Sequence, residues 1–393
     1  MKETADNALR TIGIFNETFP PIMDGVSLTA KNYADWMHKM NQPVCVITPK
    51  APDYNDNEPY PVYRYTSVPV IGRKPYRLGL PNIDLSFKTE LNQISFGLVH
   101  AHSPFSAGRL ALSIAKKQKI PFIATFHSKF RDDFQHSVHN KFIAKQMTNE
   151  VIRFFEKADE VWIPQASVEQ TIREYGFKGH VEVVDNGNDF VTNEPIEPLK
   201  KAARKALHVN GNELMFLFVG QHIWEKNTRL IVESLAAIKE LPFKMFFVGT
   251  GYAATDLKQL VADLDLNSKV EFTGVITDRE KLKQFYTAAD LFLFPSIYDN
   301  APLVIREAGA RQTPSVLIRG SSSAENITNN FNGFLIENSV ESFSTKLREL
   351  INSPETIKNT GLNASQTIAR SWESVTEEVL DRYKKIMQRK WRR

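Results

Sequence analysis

The segment from Phe294 to Ala310 has the sequence FPSIYDNAPLVIREAGA. We predict that a buried strand ends at Phe294, that a loop follows, and that a helix begins near Pro302. The fixed φ and missing N–H of proline suit the first position of a helix. The free N–H groups and positive dipole end of such a helix form a ready site for a phosphate. Glu307 lies about one and a half turns into the helix, within reach of a ribose attached to that phosphate.

The same strand-then-helix order repeats on both sides of this segment. Short β-rich apolar runs alternate with helical patterns, which is typical of βαβ units and parallel sheets. The first half has such runs at Thr11–Phe15, Pro43–Thr48, Val62–Tyr65, Leu98–His102, Phe122–Phe126, Glu160–Ile163 and Val181–Val184. The second half has them at Met215–Val219, Met245–Val248, Val270–Thr273, Leu291–Phe294, Ser315–Ile318 and Gly333–Ile336. We therefore predict an α/β protein with two Rossmann-like domains, each a doubly wound parallel sheet, facing a cleft.

A turn-forming cluster, Asp185-Asn186-Gly187-Asn188-Asp189, separates the two sets of runs. We place the domain boundary there, with the first domain at residues 1–187 and the second at 188–370. A last helical pattern covers Trp372–Met387. Its apolar side chains recur near helical spacing, so this helix must pack on another part of the protein. They are Val375, Val379, Tyr383 and Ile386.

The composition excludes several broad classes of protein. The 393 residues are 42% hydrophobic and 24% charged, as in ordinary globular proteins rather than disordered or fibrous ones. The 49 basic and 45 acidic residues leave a net charge of +4, too small an excess to indicate a nucleic-acid partner. No stretch approaches the roughly 18–20 apolar residues of a spanning helix, and residues 1–10 lack the apolar segment of a signal peptide. We therefore expect a cytoplasmic protein.

Asp299 and Glu307, eight residues apart, resemble the E-x7-E motif of glycosyltransferase family 4, with Asp in place of the first Glu. The Pro-Ser before the pair and the Glu-Ala at its end match that motif as well. Further matches follow the family's order along the chain, from Thr11 to about Met387. The chain is identified as a member of this family, and it resembles the group of diacylglycerol glucosyltransferases and phosphatidylinositol mannosyltransferases.

Three other segments carry the resemblance. Gly220–Lys226 is similar to the family's strand-Gly-Arg-x-x-x-Glu-Lys element, although Gln221 stands where arginine is usual. Thr18–Val26 resembles the family's Pro-Pro-x-x-Gly-Gly-Val loop, with Asp24 in place of one glycine. His127 ends a first-domain strand, where the family has a histidine.

The resemblance implies the GT-B fold and a retaining hexosyltransferase that uses a UDP- or GDP-linked sugar in glycan or glycolipid biosynthesis. It implies that the second domain binds the donor, that the first binds the acceptor, and that the terminal helix, residues 371–393, returns to the first domain. No metal and no cofactor are expected, since the nucleotide sugar is the donor substrate. The implied catalytic residues are Lys226 for the diphosphate, Asp299 and His127 for the sugar, and Glu307 for the ribose. The implied donor-binding residues are Gly25, Gly220, Gln221, Gly249, Gly251, Gly274, Asn300, Pro302 and Leu303.

Other functions stay open on the sequence alone. Gly249–Ala254 satisfies the G-x-G-x-x-A fingerprint, with Glu271 downstream for a ribose, so a nicotinamide-dependent oxidoreductase is one alternative. Asp263-Leu264-Asp265 has the Asp-x-Asp pattern of a metal site, but its place at the end of a helical pattern predicts a solvated helix terminus. A nucleotide-sugar epimerase and an inactive sugar-binding protein are further alternatives.

These motifs leave the donor base and the acceptor undetermined. Basic and aromatic residues gather in the loop Arg73–Pro81 and at the end of the chain, Gln388–Arg393. Family members that act on lipids carry comparable basic surfaces, which attract anionic headgroups at about 1 kcal/mol per side chain. We expect a lipid or saccharide acceptor. Peripheral contact with an anionic membrane at the inner face of the cell is one role for the basic residues, and solubility is the other.

Overall fold

The computed structural model describes residues 10–22, 24–70, 75–138, 140–211, 213–297, 299 and 301–391. The chain divides into two compact units. Met1–Asn186 and Trp372–Arg393 form the first unit, and Gly187–Ser371 forms the second. The domain limits expected from the sequence, 187/188 and 370/371, each lie one residue from these divisions.

The first unit is built around a parallel sheet. Its described strands are β1 (Thr11–Phe15), β2 (Val44–Pro49), β3 (Val62–Tyr65), β4 (Ser67–Pro69), β5 (Arg77–Gly79), β6 (Phe96–Ala101), β7 (Phe122–Thr125), β8 (Glu160–Ile163) and β9 (Val181–Val183). The parallel sheet has the order β3-β2-β1-β6-β7-β8-β9. The winding reverses between β1 and β6, and ligands of doubly wound sheets bind outside the carboxyl ends of such a strand pair, the topological switch point.

Helices pack on this sheet and explain its apolar strands. Strands β2 and β6 are buried at every position, as expected for a parallel sheet that is covered on both faces. Such strands appear in the sequence as continuous apolar runs rather than as alternating patterns. The helices that come before the second unit are α1 (Gly25–Lys39), α2 (Leu85–Asn92), α3 (Ser106–Gln118), α4 (Phe130–Val138), α5 (Lys141–Phe155) and α6 (Val168–Glu174).

A short antiparallel ribbon departs from the sequence analysis. Strands β4 and β5 pair with each other, with Ser67 opposite Gly79 and Pro69 opposite Arg77. The sequence predicts a loop over the whole of Arg73–Pro81, of which residues 73 and 74 lie outside the described residues. Strands of three residues are too short to show the period-two pattern that identifies longer strands.

The second unit repeats the parallel arrangement. Its described strands are β10 (Leu214–Val219), β11 (Phe243–Val248), β12 (Val270–Gly274), β13 (Leu291–Leu293), β14 (Ser315–Ile318) and β15 (Phe334–Ile336). Their order is β12-β11-β10-β13-β14-β15, so the switch point lies between β10 and β13. Its helices are α7 (Ile196–Ala206), α8 (Thr228–Ala236), α9 (Ala254–Asp263), α10 (Arg279–Ala288), α11 (Leu303–Ala310), α12 (Val340–Ile351) and α13 (Pro354–Thr367). The parallel strands predicted from the sequence are confirmed in both units, with ends that differ by at most two residues.

The last helix, α14 (Trp372–Trp391), follows the second unit in the chain but belongs to the first. The hydroxyl of Tyr383 lies 2.6 Å from Nδ1 of His100 in β6, and its ring stacks on Trp162 in β8 with ring centres 5.5 Å apart. The helix therefore packs on the first sheet through an apolar face. Its four predicted apolar positions are all 4% exposed or less: Val375, Val379, Tyr383 and Ile386.

Candidate active site

The switch point of the second unit brings together two charged side chains from different loops. Lys226 ends a short 3-10 turn after β10, and Asp299 lies in the loop after β13. The Lys226 Nζ lies 2.7 Å from Oδ1 and 3.0 Å from Oδ2 of Asp299. The hydroxyl of Ser296 also donates to Oδ2, at 2.6 Å. Two residues predicted from separate motifs thus meet because β10 and β13 are neighbours in the sheet.

Both side chains of this pair are largely shielded from solvent. The Lys226 side chain is 13% exposed and that of Asp299 is 19% exposed. The ammonium of Lys226 also lies 5.1 Å from the centre of the Phe294 ring, within the range of a cation–π contact. Because opposite charges attract more strongly at low solvent exposure than at the surface, the pair ties the two loops together.

Helix α11 begins four residues after Asp299. Pro302 has φ −68° and ψ 124°, so it is the cap, and Leu303 is the first helical residue. The helix thus begins within one residue of Pro302, where the sequence predicts its start, and the extended ψ makes Pro302 the cap. No side chain of the described residues caps this helix, so its first N–H groups and its dipole can receive an anion. Asn300, which was also predicted to bind the donor, lies outside the described residues.

Glu307 lies in the second turn of α11 and is 4% exposed. Its Oε1 accepts from Nη2 of Arg279 at 2.7 Å, and its Oε2 accepts from the hydroxyl of Tyr286 at 2.8 Å. Burial, followed by the carboxylate of Glu307, raises the pKa of Tyr286 well above its ordinary value, so this phenol stays a donor. A carboxylate has about four acceptor positions, and Glu307 therefore keeps capacity for further hydrogen bonds.

Arg279 and Asp189 complete this network and were not predicted. The guanidinium of Arg279 donates from Nε to Oδ2 of Asp189 at 3.0 Å and from Nη2 to Oδ1 at 2.5 Å. Burial alone lowers the pKa of Arg279, but the carboxylates of Glu307 and Asp189 raise it above its ordinary value. No local pattern marks this network, since Arg279 is 90 positions from Asp189 and 28 from Glu307.

Three of the predicted donor-binding glycines meet where β10, β11 and β12 end. The N–H of Gly220 donates to the carbonyl of Val248 at 3.0 Å, and that of Gly249 donates to the carbonyl of Gly274 at 2.8 Å. Gly249 has φ +129°, and a Cβ there would lie 2.0 Å from the carbonyl oxygen of Gly220. Only glycine fits this crossing of backbones.

The fourth glycine, Gly251, faces the loop after β10. A Cβ there would lie 2.3 Å from the carbonyl oxygen of His222. Gln221, which replaces the family's usual arginine, has an exposed side chain. This Gly-x-Gly turn follows β11, which is not the first strand of its sheet along the chain. It therefore does not occupy the first strand-to-helix turn, where dinucleotide-binding domains carry their fingerprint.

Gly25 in the first unit is exposed and is the first residue of α1. Asp24 caps this helix, because its Oδ1 accepts the N–H of Ser27 at 2.8 Å. The hydroxyl of Thr18 donates to Oδ2 of Asp24 at 3.2 Å. Burial raises the pKa of Asp24 above its ordinary value. The helix start beside Gly25 thus holds a carboxylate of its own, which opposes a second anion there.

His127 follows β7 in the first unit and is the partly exposed end of a row of three histidines. Its Nε2 lies 3.0 Å from Nδ1 of His102, and the two rings stack with centres 5.3 Å apart. The ring centres of His102 and His100 lie 4.2 Å apart. Burial lowers the pKa of all three histidines below the ordinary value. Burial therefore favours the neutral form of His127, whose ring nitrogens can donate one hydrogen bond and accept another.

Two family models match the chain, one in each unit. The Glycosyltransferase Family 4 model matches residues 23–190, and the model of glycosyl transferases group 1 matches residues 200–367. The chain belongs to glycosyltransferase family 4. Membership in this family does not favour the oxidoreductase and epimerase alternatives.

Several proteins resemble this family member along most of its length. Alpha-monoglucosyldiacylglycerol synthase from Streptococcus pneumoniae is 26% identical over 322 residues, which cover 80% of this chain and 72% of that protein. The synthase of the same name from Acholeplasma laidlawii is 23% identical, and the match covers 96% of this chain and all of that protein. Both similarities extend over the two units.

Solved structures share the fold. Sucrose-phosphate synthase from Thermosynechococcus elongatus has a TM-score of 0.78 at 18% identity, covering 96% of this chain and 99% of that one. HepE from Anabaena, solved in complex with UDP and glucose, has a TM-score of 0.73 at 16% identity, covering 95% and 99%. At these identities the likeness concerns the fold alone, and it confirms the expected GT-B class with two Rossmann-like units.

Proposed function

We propose that this family 4 glycosyltransferase moves a hexose from a UDP- or GDP-linked donor to a hydroxyl of a lipid or saccharide acceptor, with retention of the anomeric configuration. The observation that carries the proposal is the contact between Lys226 and Asp299 beside the start of α11. A cation and free backbone N–H groups suit a diphosphate, and the adjacent carboxylate suits the hydroxyls of the attached sugar.

Lys226 is the main cationic partner of the diphosphate in this proposal. Cleavage of the donor places further negative charge on the leaving diphosphate, so a cation held there stabilises the transition state more than the ground state. Gln221 donates a hydrogen bond without charge and cannot share this task. As the donor binds, the Lys226 ammonium turns from Asp299 to the phosphate, and Asp299 accepts hydrogen bonds from the sugar.

Retention follows from the groups that surround the sugar. An inverting reaction normally needs a general base opposite the leaving group, and a double displacement needs a carboxylate nucleophile on that face. With Asp299 on the remote sugar hydroxyls and Glu307 on the ribose, neither carboxylate lies at the anomeric carbon. The acceptor oxygen then bonds to the anomeric carbon on the same side from which the phosphate oxygen leaves. The leaving phosphate oxygen takes the acceptor's proton.

The reaction in this proposal uses no metal. Asp263 is the last residue of α9, and Asp265 pairs with Lys239 at 3.6 Å, so the Asp-x-Asp pattern lies at a helix end rather than after a strand. The test is turnover in the presence of excess EDTA, which is expected to equal turnover with added Mg²⁺. A loss of activity that Mg²⁺ restores would contradict this part of the proposal.

We further propose a lipid acceptor and peripheral contact with the cytoplasmic face of the membrane. Two relatives named alpha-monoglucosyldiacylglycerol synthase support the acceptor class. Leu85 and Phe142 of the first unit are 76% and 70% exposed and suit an apolar boundary. The basic tail supports the contact less, because Arg389 bonds to Glu160 at 2.7 Å and Lys390 bonds to Asp159 at 2.6 Å.

None of the described helices combines the length and the apolar character that crossing a bilayer requires.

The deciding experiment is a thermal-shift panel of UDP, GDP and their sugars, followed by transfer from the stabilising donor to diacylglycerol in mixed micelles. Incubation with donor alone is the control, since an isomerised nucleotide sugar would indicate an epimerase. Proton NMR of the product gives the stereochemistry. A large trans-diaxial coupling at the anomeric proton of a gluco-configured product would mean inversion. Absence of transfer from every donor would overturn the proposal.

A further inference from the structure

The carboxylate of Glu307 is held by residues outside the donor motif. Its side chain is 5% exposed, and Arg279 and Tyr286 each bond to one of its oxygens. A buried carboxylate needs a partner, because an unpaired charge in the interior is costly. Arg279 supplies the opposite charge, and its planar guanidinium also constrains the direction in which the carboxylate points.

Arg279 is itself held from two further sides. Asp189 accepts hydrogen bonds from its Nε and Nη2, and the ring of Phe190 lies 4.3 Å from its guanidinium carbon. Phe190 is 1% exposed, its N–H donates to Oδ1 of Asn188 at 2.6 Å, and its carbonyl accepts from Nη1 of Arg311 at 3.2 Å. The backbone at residues 188–190 is therefore fixed, and it fixes the guanidinium.

We propose that Arg279 is a positioning residue for donor binding, which holds the Glu307 carboxylate so that its remaining acceptor positions meet the ribose hydroxyls. Asp189 holds Arg279 in that orientation. This inference rests on the proposed function, in which Glu307 binds the ribose. Replacing Arg279 leaves the Glu307 carboxylate bonded to Tyr286 through one oxygen only, so it can turn about that bond. The loss is then specific for the ribose hydroxyls, whereas a purely structural role weakens every nucleotide alike.

The test measures how strongly the protein distinguishes a ribose with hydroxyls from one without them. Calorimetric titration compares UDP with 2′,3′-dideoxy-UDP, and GDP with its dideoxy form, on the purified full chain. For the nucleotide that the wild type binds more tightly, the dideoxy form is expected to bind roughly 10- to 100-fold more weakly, the range for hydrogen bonds to a charged acceptor. Arg279→Gln is expected to reduce that ratio to about 3-fold or less, and Arg279→Lys to an intermediate value. Asp189→Asn is expected to reduce it less than Arg279→Gln does.

Arg204→Gln is the matched control. Arg204 pairs with Asp290 at 2.7 Å, and both side chains are largely buried, at 15% and 13% exposed. Asp290 precedes β13, so this pair lies at the amino ends of the strands, opposite the candidate site. Arg204→Gln is expected to lower thermal stability and to leave the ribose ratio unchanged.

The outcomes separate the two proposals. If the wild type binds both forms equally or binds neither nucleotide, Glu307 does not bind the ribose, and the donor assignment in the proposed function is wrong. If the wild type distinguishes them and Arg279→Gln distinguishes them as strongly, the positioning role of Arg279 is wrong while the proposed function stands. The ratio of the two affinities reports on folded protein only. If Arg279→Gln does not fold, the same comparison is made with Arg279→Lys.

Discussion

The two units share a topology but differ in charge at the switch points of their sheets. In the first unit, Glu17 follows β1 and caps α3, because its Oε2 accepts the N–H of Ala107 at 3.0 Å and its Oε1 accepts the hydroxyl of Ser106 at 2.5 Å. In the second unit, the loop after β10 carries the cation Lys226, and α11 has no side-chain cap among the described residues. The helix start beside Glu17 is thus already occupied by a carboxylate, whereas the start of α11 is open and lies beside the Lys226–Asp299 pair.

Asp24 extends the difference. It caps α1, so both helices that flank the switch point of the first unit begin at a carboxylate. Under the proposed function, the charges in a few loops decide which of the two similar units receives the diphosphate. Under the same proposal, the first unit binds the acceptor, whose hydroxyl is neutral.

The largest expected effect concerns the cation of the second unit. Lys226→Ala is expected to lower turnover by roughly 10²–10³, the usual loss when one donor to transition-state charge is removed. Steady-state kinetics with the identified donor measure it. Lys239→Ala removes a lysine that pairs with Asp265 at 3.6 Å, and it is the control. A Lys226→Ala enzyme with near-normal turnover would show that the diphosphate lies elsewhere.

A second variant places a carboxylate cap, like those of the first unit, at the start of α11. Pro302→Asp places a carboxylate at the start of α11, where it satisfies helix N–H groups and repels a diphosphate. We expect thermal stability to be equal or higher and UDP affinity to be roughly 5- to 30-fold lower than in Pro302→Asn, which caps without charge. Calorimetry and thermal melts measure the two effects. Equal UDP affinity in the two variants would show that the charge at the start of α11 does not affect the binding of the diphosphate.

A smaller effect is expected for Glu17 in the first unit. Burial raises the pKa of Glu17 above its ordinary value, although hydrogen bonds from Ala107 and Ser106 lower it. A carboxyl whose pKa is raised on folding stabilises the protein at low pH, and this contribution is lost as pH rises through the folded-state pKa. Relative to Glu17→Gln, the melting temperature of the wild type is therefore expected to fall as pH rises above about 4.5, the ordinary pKa of a glutamate. If the difference in melting temperature between the wild type and Glu17→Gln does not change with pH, ionisation of Glu17 does not destabilise the protein.

The smallest effect is expected from the tail. Deleting residues 388–393 is expected to weaken sedimentation with anionic liposomes by no more than about threefold, since Arg389 and Lys390 already have acidic partners in the first unit. Phe142→Ser, at an exposed apolar position, is expected to weaken it more. The measurement is repeated at rising salt, which reduces only the electrostatic part. A tail deletion that abolishes binding would show that the tail pairs are broken at the membrane.

The parallel strands were predictable because strands buried on both faces leave continuous apolar runs, as at Thr11–Phe15 and Ser315–Ile318. Asp24 was also within reach of sequence analysis. An aspartate three residues before Ser27 has the spacing of a helix N-cap, which is a local sequence signal.

The networks around Glu17 and Arg279 could not be predicted in this way. Glu17 is 89 positions from Ser106, and Arg279 is 90 positions from Asp189. Such contacts depend on which strands become neighbours, and charged residues at these distances form no periodic pattern. The ribbon of β4 and β5 could not be predicted for a related reason. It is defined by the pairing of two short strands, which their composition does not indicate.

The position of α14 determines the order in which the protein matures on the ribosome. Its Tyr383 covers His100 and Trp162 of the first sheet, but α14 is translated only after Gly187–Ser371. At about 5–20 residues per second, synthesis of that stretch takes roughly 10–40 s. During this interval the nascent first unit lacks its covering helix and exposes aromatic surface to chaperones and to neighbouring chains. The first unit is therefore completed last, although most of its residues are made first.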